Sequence, residues 1–167
     1  MRSRPLVPTL RRFAKKFRLL WKYYLWQSSI AALVVFIVFL ILDVQNAVII
    51  TSIGATAFIV FTMPKNITAE PRRVIGGHLI GLLSGSLIAL IPHPSVLPSP
   101  VTYALAVGIS IFLMVITNTE HAPASGTALG VAITGFSPSV AIAVVTSAII
   151  LSLAHHFLKR FLKNLTW

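Results

Sequence analysis

Five histidines, three carboxylates and a set of serine and threonine hydroxyls carry the side-chain chemistry open to this chain, which has no cysteine. They are densest in the stretch TNTEHAPASGTALG, residues 117–130, where Glu120, His121, Pro123, Ser125, Gly126 and Thr127 lie together. Pro123 suits the first turn of a helix, and Ser125, Gly126 and Thr127 leave little bulk around the N–H groups of that turn. A helix N-terminus carries partial positive charge, so backbone N–H groups and hydroxyls can hold an anion there without a fixed cation. His121 adds a titratable donor at the mouth of such a site. On the plainer reading, Pro123 and Ser125 only begin a helix and His121 rests among lipid headgroups.

A second stretch, EPRRVIGGHLIG at 70–81, repeats the order of glutamate, proline and a glycine-bearing helix start, with His78 one residue from Gly77. Arg72 and Arg73 either draw anions to this face or anchor the loop to anionic lipid. His78 is either a packed histidine bonded to a neighbour or part of a permeation path. Gly77, Gly81 and Gly85, like Gly126 and Gly130, have the spacing that lets helix backbones approach closely.

The missing groups restrict the function further. Asp43, Glu70 and Glu120 are the only carboxylates, and all three fall in predicted loops, which argues against a carboxylate proton relay or a dehydrated-cation site. His78, His93, His121, His155 and His156 do not form the H-E-x-x-H zinc pattern. The adjacent His155 and His156 are expected to complement the dipole of a helix end. Nothing in the spacing pairs a serine with a base. No enzyme activity, metal or cofactor is expected.

The elements around these residues are written in the composition: 56% hydrophobic and 10% charged, against about 25% charged in soluble domains. The chain therefore reads as an all-α integral membrane protein. Its formal charge of +11 flanks apolar spans, a membrane-topology pattern rather than a nucleic-acid site. Residues 1–24 form a basic segment, in which 6–24 is expected to be an amphipathic helix lying at the membrane interface, with an organellar transit peptide as its rival. It places Leu10, Phe13, Phe17, Leu20, Trp21 and Tyr24 against Arg11, Arg12, Lys15, Lys16, Arg18 and Lys22. The membrane domain is expected over 25–158 and a basic cytoplasmic tail over 159–167.

Full transmembrane helices are expected at 25–42, 47–63, 74–91, 101–117 and 139–158, each near the length needed to cross about 30 Å of hydrocarbon. The basic clusters at the N-terminus, at 65–73 and at 159–163 should all be cytoplasmic. Five crossings would put the C-terminus on the wrong side. Residues 124–136 must then traverse as well, as a short or broken helix of about 20 Å paired with 139–158. Both termini are thus expected inside. A short, glycine-interrupted membrane helix marks a transporter's binding region, because its end and its backbone lie at membrane depth.

SIGATAFIVF (52–61), EPRRVIGGHLIGLLSG (70–85) and HAPASGTALG (121–130), in this order between apolar spans, resemble the HPP family of integral membrane proteins. The likeness covers most of the chain from residue 25 to about residue 156. His121-Ala122-Pro123 stands where the family has the His-Pro-Pro of its name, with alanine in the central place. The GATA segment and the basic loop after it also resemble the fusaric-acid-resistance and aluminium-activated malate-transporter group, which would imply six helices and a dimer.

The HPP resemblance implies a small-anion transporter, nitrite foremost, since members are implicated in nitrite transport across chloroplast and cyanobacterial membranes. The candidate substrate-binding residues are His121, Pro123, Ser125, Gly126 and Thr127, together with His78, Ser52, Gly54 and Thr56. Arg72 and Arg73 are candidates for cytoplasmic anion attraction. The expected partners are the lipid bilayer, a small inorganic anion and further copies in a homodimer or higher oligomer. A bacterial inner membrane is the expected location, ahead of a plastid envelope. The competing expectation is a non-transporting scaffold or accessory subunit.

Overall fold

The structure is a computed structural model that describes residues 6–41, 47–92 and 98–166, with side chains from residue 14 onward except those of 41 and 47. Asp43, His93 and the side chains of Leu10, Arg11, Arg12 and Phe13 lie outside the described residues. Six α-helices make up the described fold: α1 Leu6–Ile41, α2 Ala47–Thr62, α3 Pro71–Ala89, α4 Ser99–Ile116, α5 Ala122–Thr134 and α6 Pro138–Leu158, with a 3-10 turn at Ile67–Ala69 before α3.

The expected boundary between an interfacial helix and the first span is absent, because α1 is one continuous helix of 36 residues. No glycine or proline falls between residues 9 and 41 to interrupt it. At 1.5 Å per residue it is about 54 Å long, well beyond the hydrocarbon thickness. Phe17 and Tyr24 do share a face, their rings stacked with centroids 6.1 Å apart.

Among the described residues, three segments are long and apolar enough to cross a membrane: Ala14–Leu40, Ser99–Ile116 and Pro138–Leu158. Of the five full spans expected, α2 is a shorter apolar helix, and α3 dilutes its 19 residues with two arginines, a histidine, four glycines and two serines.

Polarity is arranged inside out. Leu33, Phe36 and Leu40 on α1, Phe112 and Ile116 on α4, and Leu153 and Phe157 on α6 are exposed. Ser52, Thr56, His78, Ser84, His121, Thr127, Ser147 and Ser152 are buried. Hydrocarbon outside and hydroxyls inside is the distribution a bilayer favours, since lipid tails cannot satisfy polar groups.

The short helix α5 is where residues 124–136 were expected to place one, spanning 13 residues and stopping at Gly135, whose φ of 82° suits glycine. Its packing differs from the expected pairing with 139–158: α5 rests chiefly on α3, and also on α4 and α2, while α6 packs on α3 and α2. The glycines of α3 explain this. A Cβ on Gly77 would come within 2.8 Å of His121 Cβ and one on Gly85 within 2.5 Å of the Ala128 carbonyl oxygen, and one on Gly81 would collide with the Ala124 carbonyl oxygen. The ridge thus packs two helices of the same chain together.

One end of the bundle is tied by hydrogen bonds that join distant parts of the sequence. Gln27 Nε2 donates to the carbonyls of Phe61 at 2.5 Å and Lys163 at 3.0 Å, and its Oε1 accepts from the Lys163 N–H. The Leu165 N–H donates to the Thr62 carbonyl. His155 is buried, with Nε2 donating to the Pro64 carbonyl at 2.8 Å, so it braces the α2–α3 connection in addition to ending α6.

Candidate functional site

Where α2, α3 and the start of α5 converge, a cluster of hydroxyls and imidazoles is closed off from solvent. Ser52 and Thr56 lie one helical turn apart on the inner face of α2, and the Thr56 hydroxyl is within 3.0 Å of the Ser52 carbonyl. His78 projects from α3 just beyond the glycine at 77, and its ring is bracketed by Thr56 Oγ1 at 2.9 Å from Nε2 and Thr127 Oγ1 at 2.9 Å from Nδ1. His121, immediately before α5, places Nε2 3.0 Å from the same Thr56 hydroxyl and Nδ1 2.9 Å from the Thr68 carbonyl. Ser52 Oγ lies 3.0 Å from Thr127 Oγ1 and donates to the Pro123 carbonyl at 2.5 Å. The two imidazole centroids are 5.3 Å apart. Ser52, Thr56, His78, His121 and Thr127 are all 4% exposed or less, which removes water as an alternative partner.

Five of the candidate residues, from three separated stretches of sequence, therefore meet in one cluster, and Pro123 joins through its carbonyl. Ser125 and Gly126 flank the cluster on opposite sides. Ser125 lines a 340 Å³ cleft with Thr68, Met114, Glu120 and His121, whereas Gly126 lines a 450 Å³ cleft with Thr51, Ser52 and Pro123. Gly54 is outside the site: it is exposed, and a Cβ built on it would meet nothing within 4 Å. Its α2 neighbours Ser52 and Thr56 turn inward because they are spaced four apart, which leaves Gly54 on the opposite side of the helix.

The arginines differ from each other. Arg73 is buried, forms an ion pair with Glu120 and donates to Asn118 Oδ1 at 2.5 Å. Its charge is thereby committed to fixing the α4–α5 connection. Arg72 is exposed and lies 3.4 Å from the Thr117 carbonyl, at the rim. Asn118 takes a left-handed conformation with φ of 56°, one that asparagine tolerates.

Two contributors escaped the sequence reading. The Thr68 carbonyl is a backbone group that any residue supplies, so composition carries no sign of it. Asn118 gave a weak sign, as an asparagine directly after an apolar run. The first turn of α5 also offers fewer free donors than expected. Pro123 has no N–H, and the Ala124 N–H already donates to the His121 carbonyl at 2.9 Å. The polar side chains at this site are mainly hydroxyls and imidazole rings.

The HPP transmembrane-region profile matches residues 16–165, which include every member of the cluster. The chain belongs to the HPP family. Among curated relatives, one Dictyostelium discoideum protein described as a transmembrane protein is 42% identical over 88 residues, covering 53% of this chain and 31% of the relative. Another transmembrane protein of that organism is 29% identical over 107 residues, covering 62% of this chain and 34% of the relative. The HPP chain thus spans roughly a third of the length of these curated relatives. No solved structure matches it.

Proposed function

We propose that this HPP-family protein is a multi-pass transporter or channel for small monovalent anions, with nitrite the first candidate, and that it catalyses no chemical reaction. The observation that carries the reading is the buried Ser52–Thr56–His78–His121–Thr127 cluster, with no carboxylate among its members. Glu120, the nearest described carboxylate, is neutralised by Arg73. Hydroxyls and N–H groups can replace the water shell of a nitrite or nitrate ion, whereas a cation would require negative oxygens. A scaffold has no need of a polar cluster at this depth.

In this reading all six helices cross the bilayer, with α2 and α5 short, and both termini are cytoplasmic in a bacterial inner membrane. The ion enters the cleft lined by His121 and Ser125, Thr127, His78 and Ser52 form the buried cluster behind it, and Arg72 adds attraction at the rim. The glycine ridge of α3 is used within the chain, so a homodimer or higher oligomer would assemble through other surfaces. Purified protein in proteoliposomes tests the function. Uptake of nitrite or nitrate above that of empty liposomes is expected. Uptake equal to empty liposomes for both anions refutes it and favours the scaffold.

A further inference from the structure

The hydrogens within the cluster do not balance when both histidines are neutral. Seven close contacts link it: Thr68 O to His121 Nδ1, His121 Nε2 to Thr56 Oγ1, Thr56 Oγ1 to His78 Nε2, Thr56 Oγ1 to Ser52 O, His78 Nδ1 to Thr127 Oγ1, Thr127 Oγ1 to Ser52 Oγ, and Ser52 Oγ to Pro123 O. Each requires one hydrogen. Three hydroxyls and two neutral imidazoles bring only five, so two contacts would set lone pair against lone pair. With both rings protonated, every contact can be filled in one consistent arrangement. His121 donates to the Thr68 carbonyl and to Thr56, His78 donates to Thr56 and Thr127, and the hydroxyls of Thr56, Thr127 and Ser52 donate to Ser52 O, Ser52 Oγ and Pro123 O. Thr56 Oγ1 then accepts two hydrogen bonds and donates one, the full capacity of a hydroxyl.

We propose that His78 and His121, bridged by Thr56, form a proton-binding site that fills when a monovalent anion enters, making this a proton–anion symporter; the inference rests on the transport reading above. Two imidazoliums with ring centroids 5.3 Å apart repel each other, and positive charge at this depth is costly without a counter-charge. An anion in the cleft lined by His121 and Ser125 supplies that counter-charge. The other charged groups near the cluster already cancel, because Arg73 of α3 pairs with Glu120 of the α4–α5 connection. The described residues of α2, and those of α4 lining the cleft, add no ionisable side chain there. Each ring takes up one proton from water on one side, keeps it while the anion is bound, and releases it to water on the other side. No covalent bond to the anion is made or broken, and one anion carried with two protons moves one net positive charge.

The test measures nitrate uptake into proteoliposomes holding the full chain, with lumenal pH followed by a trapped dye. Nitrate stays ionised, so it cannot carry the proton itself. The expected result is lumenal acidification of about two protons per nitrate, with uptake accelerated by an inside-negative membrane potential. Nitrate uptake without acidification, accelerated by an inside-positive potential, overturns the symport and leaves the transport reading standing. Absence of both nitrate and nitrite uptake overturns both. For the site itself, folded His78→Gln and His121→Gln proteins should each lower the proton-to-nitrate ratio, and an unchanged ratio in both overturns the assignment. If neither folds, Thr56→Ser should preserve the ratio and Thr56→Val should lower it, and equal ratios in these two overturn the assignment instead.

Discussion

Thr127 shows most directly how a single hydroxyl is committed in this molecule. Its oxygen lies within hydrogen-bonding distance of His78 Nδ1 and Ser52 Oγ, and the residue is fully buried. Thr127→Val keeps the shape and removes the hydroxyl. A hydrogen bond to a charged group contributes about 1.5–3 kcal/mol, so the half-saturating nitrite or nitrate concentration should rise, by more than tenfold at the upper end. Leaving the facing nitrogen unpaired should also lower thermal stability by about 1–3 kcal/mol. Initial uptake rates and detergent-phase melting curves check the two effects separately. A lower melting temperature with unchanged half-saturation would reduce Thr127 to a structural residue. The residue types were legible in the sequence, because a histidine, hydroxyls and a proline at a helix start are uncommon between apolar runs. The meeting of His121 with His78 and Thr56 was not, since it depends on how three helices pack. Gly54 illustrates the limit from the other direction: it lies in the same short motif as Ser52 and Thr56, yet only helical phase decides which side it faces.

Helix boundaries followed local chemistry where such chemistry was present. Pro123 and Gly135 bracket α5, and Pro71 begins α3, as expected from the fixed φ of proline and the permissiveness of glycine. No such signal separates residues 24 and 25, so charge patterning alone suggested a break that a continuous helix does not need. The α3–α5 contact explains the geometry of the cluster within this fold, because His78 and His121 meet only if the two backbones approach closely. Gly81→Ala should therefore be costly. Its Cβ would meet the Ala124 carbonyl oxygen, a backbone atom that moves only if the helix moves. Overpacking of this kind costs about 1–3 kcal/mol. Gly108→Ala is the control, since a Cβ on Gly108 meets nothing within 4 Å. Removing a mid-helix glycine there should stabilise by up to about 1 kcal/mol. Melting curves of the two variants in one detergent decide the matter, and equal midpoints would mean that α3 and α5 are not held together by this contact.

Across the whole molecule, the sequence order and the basic clusters agree on one arrangement. The end of α1's basic stretch, the α2–α3 connection and the C-terminal segment lie together, because Gln27 holds the Phe61 and Lys163 carbonyls and the Lys65 N–H lies 3.3 Å from Asn164 Oδ1. Lys163 also places its ammonium 4.2 Å from the centre of the Tyr23 ring. Residues 65 and 163 must then face the same side of any membrane, whichever side that is. Lys65→Cys and Lys163→Cys, made singly in a chain that has no cysteine of its own, separate the two questions. With a membrane-impermeant thiol reagent, both positions should react from the same face, and the positive-inside bias places that face in the cytoplasm. Both side chains are exposed in the bundle, so poor access is not an obstacle. Reaction of both from the outer face would keep the fold and invert its orientation. Reaction from opposite faces would contradict the fold itself, since an even number of crossings between these positions requires α5 to traverse along with α3, α4 and α6.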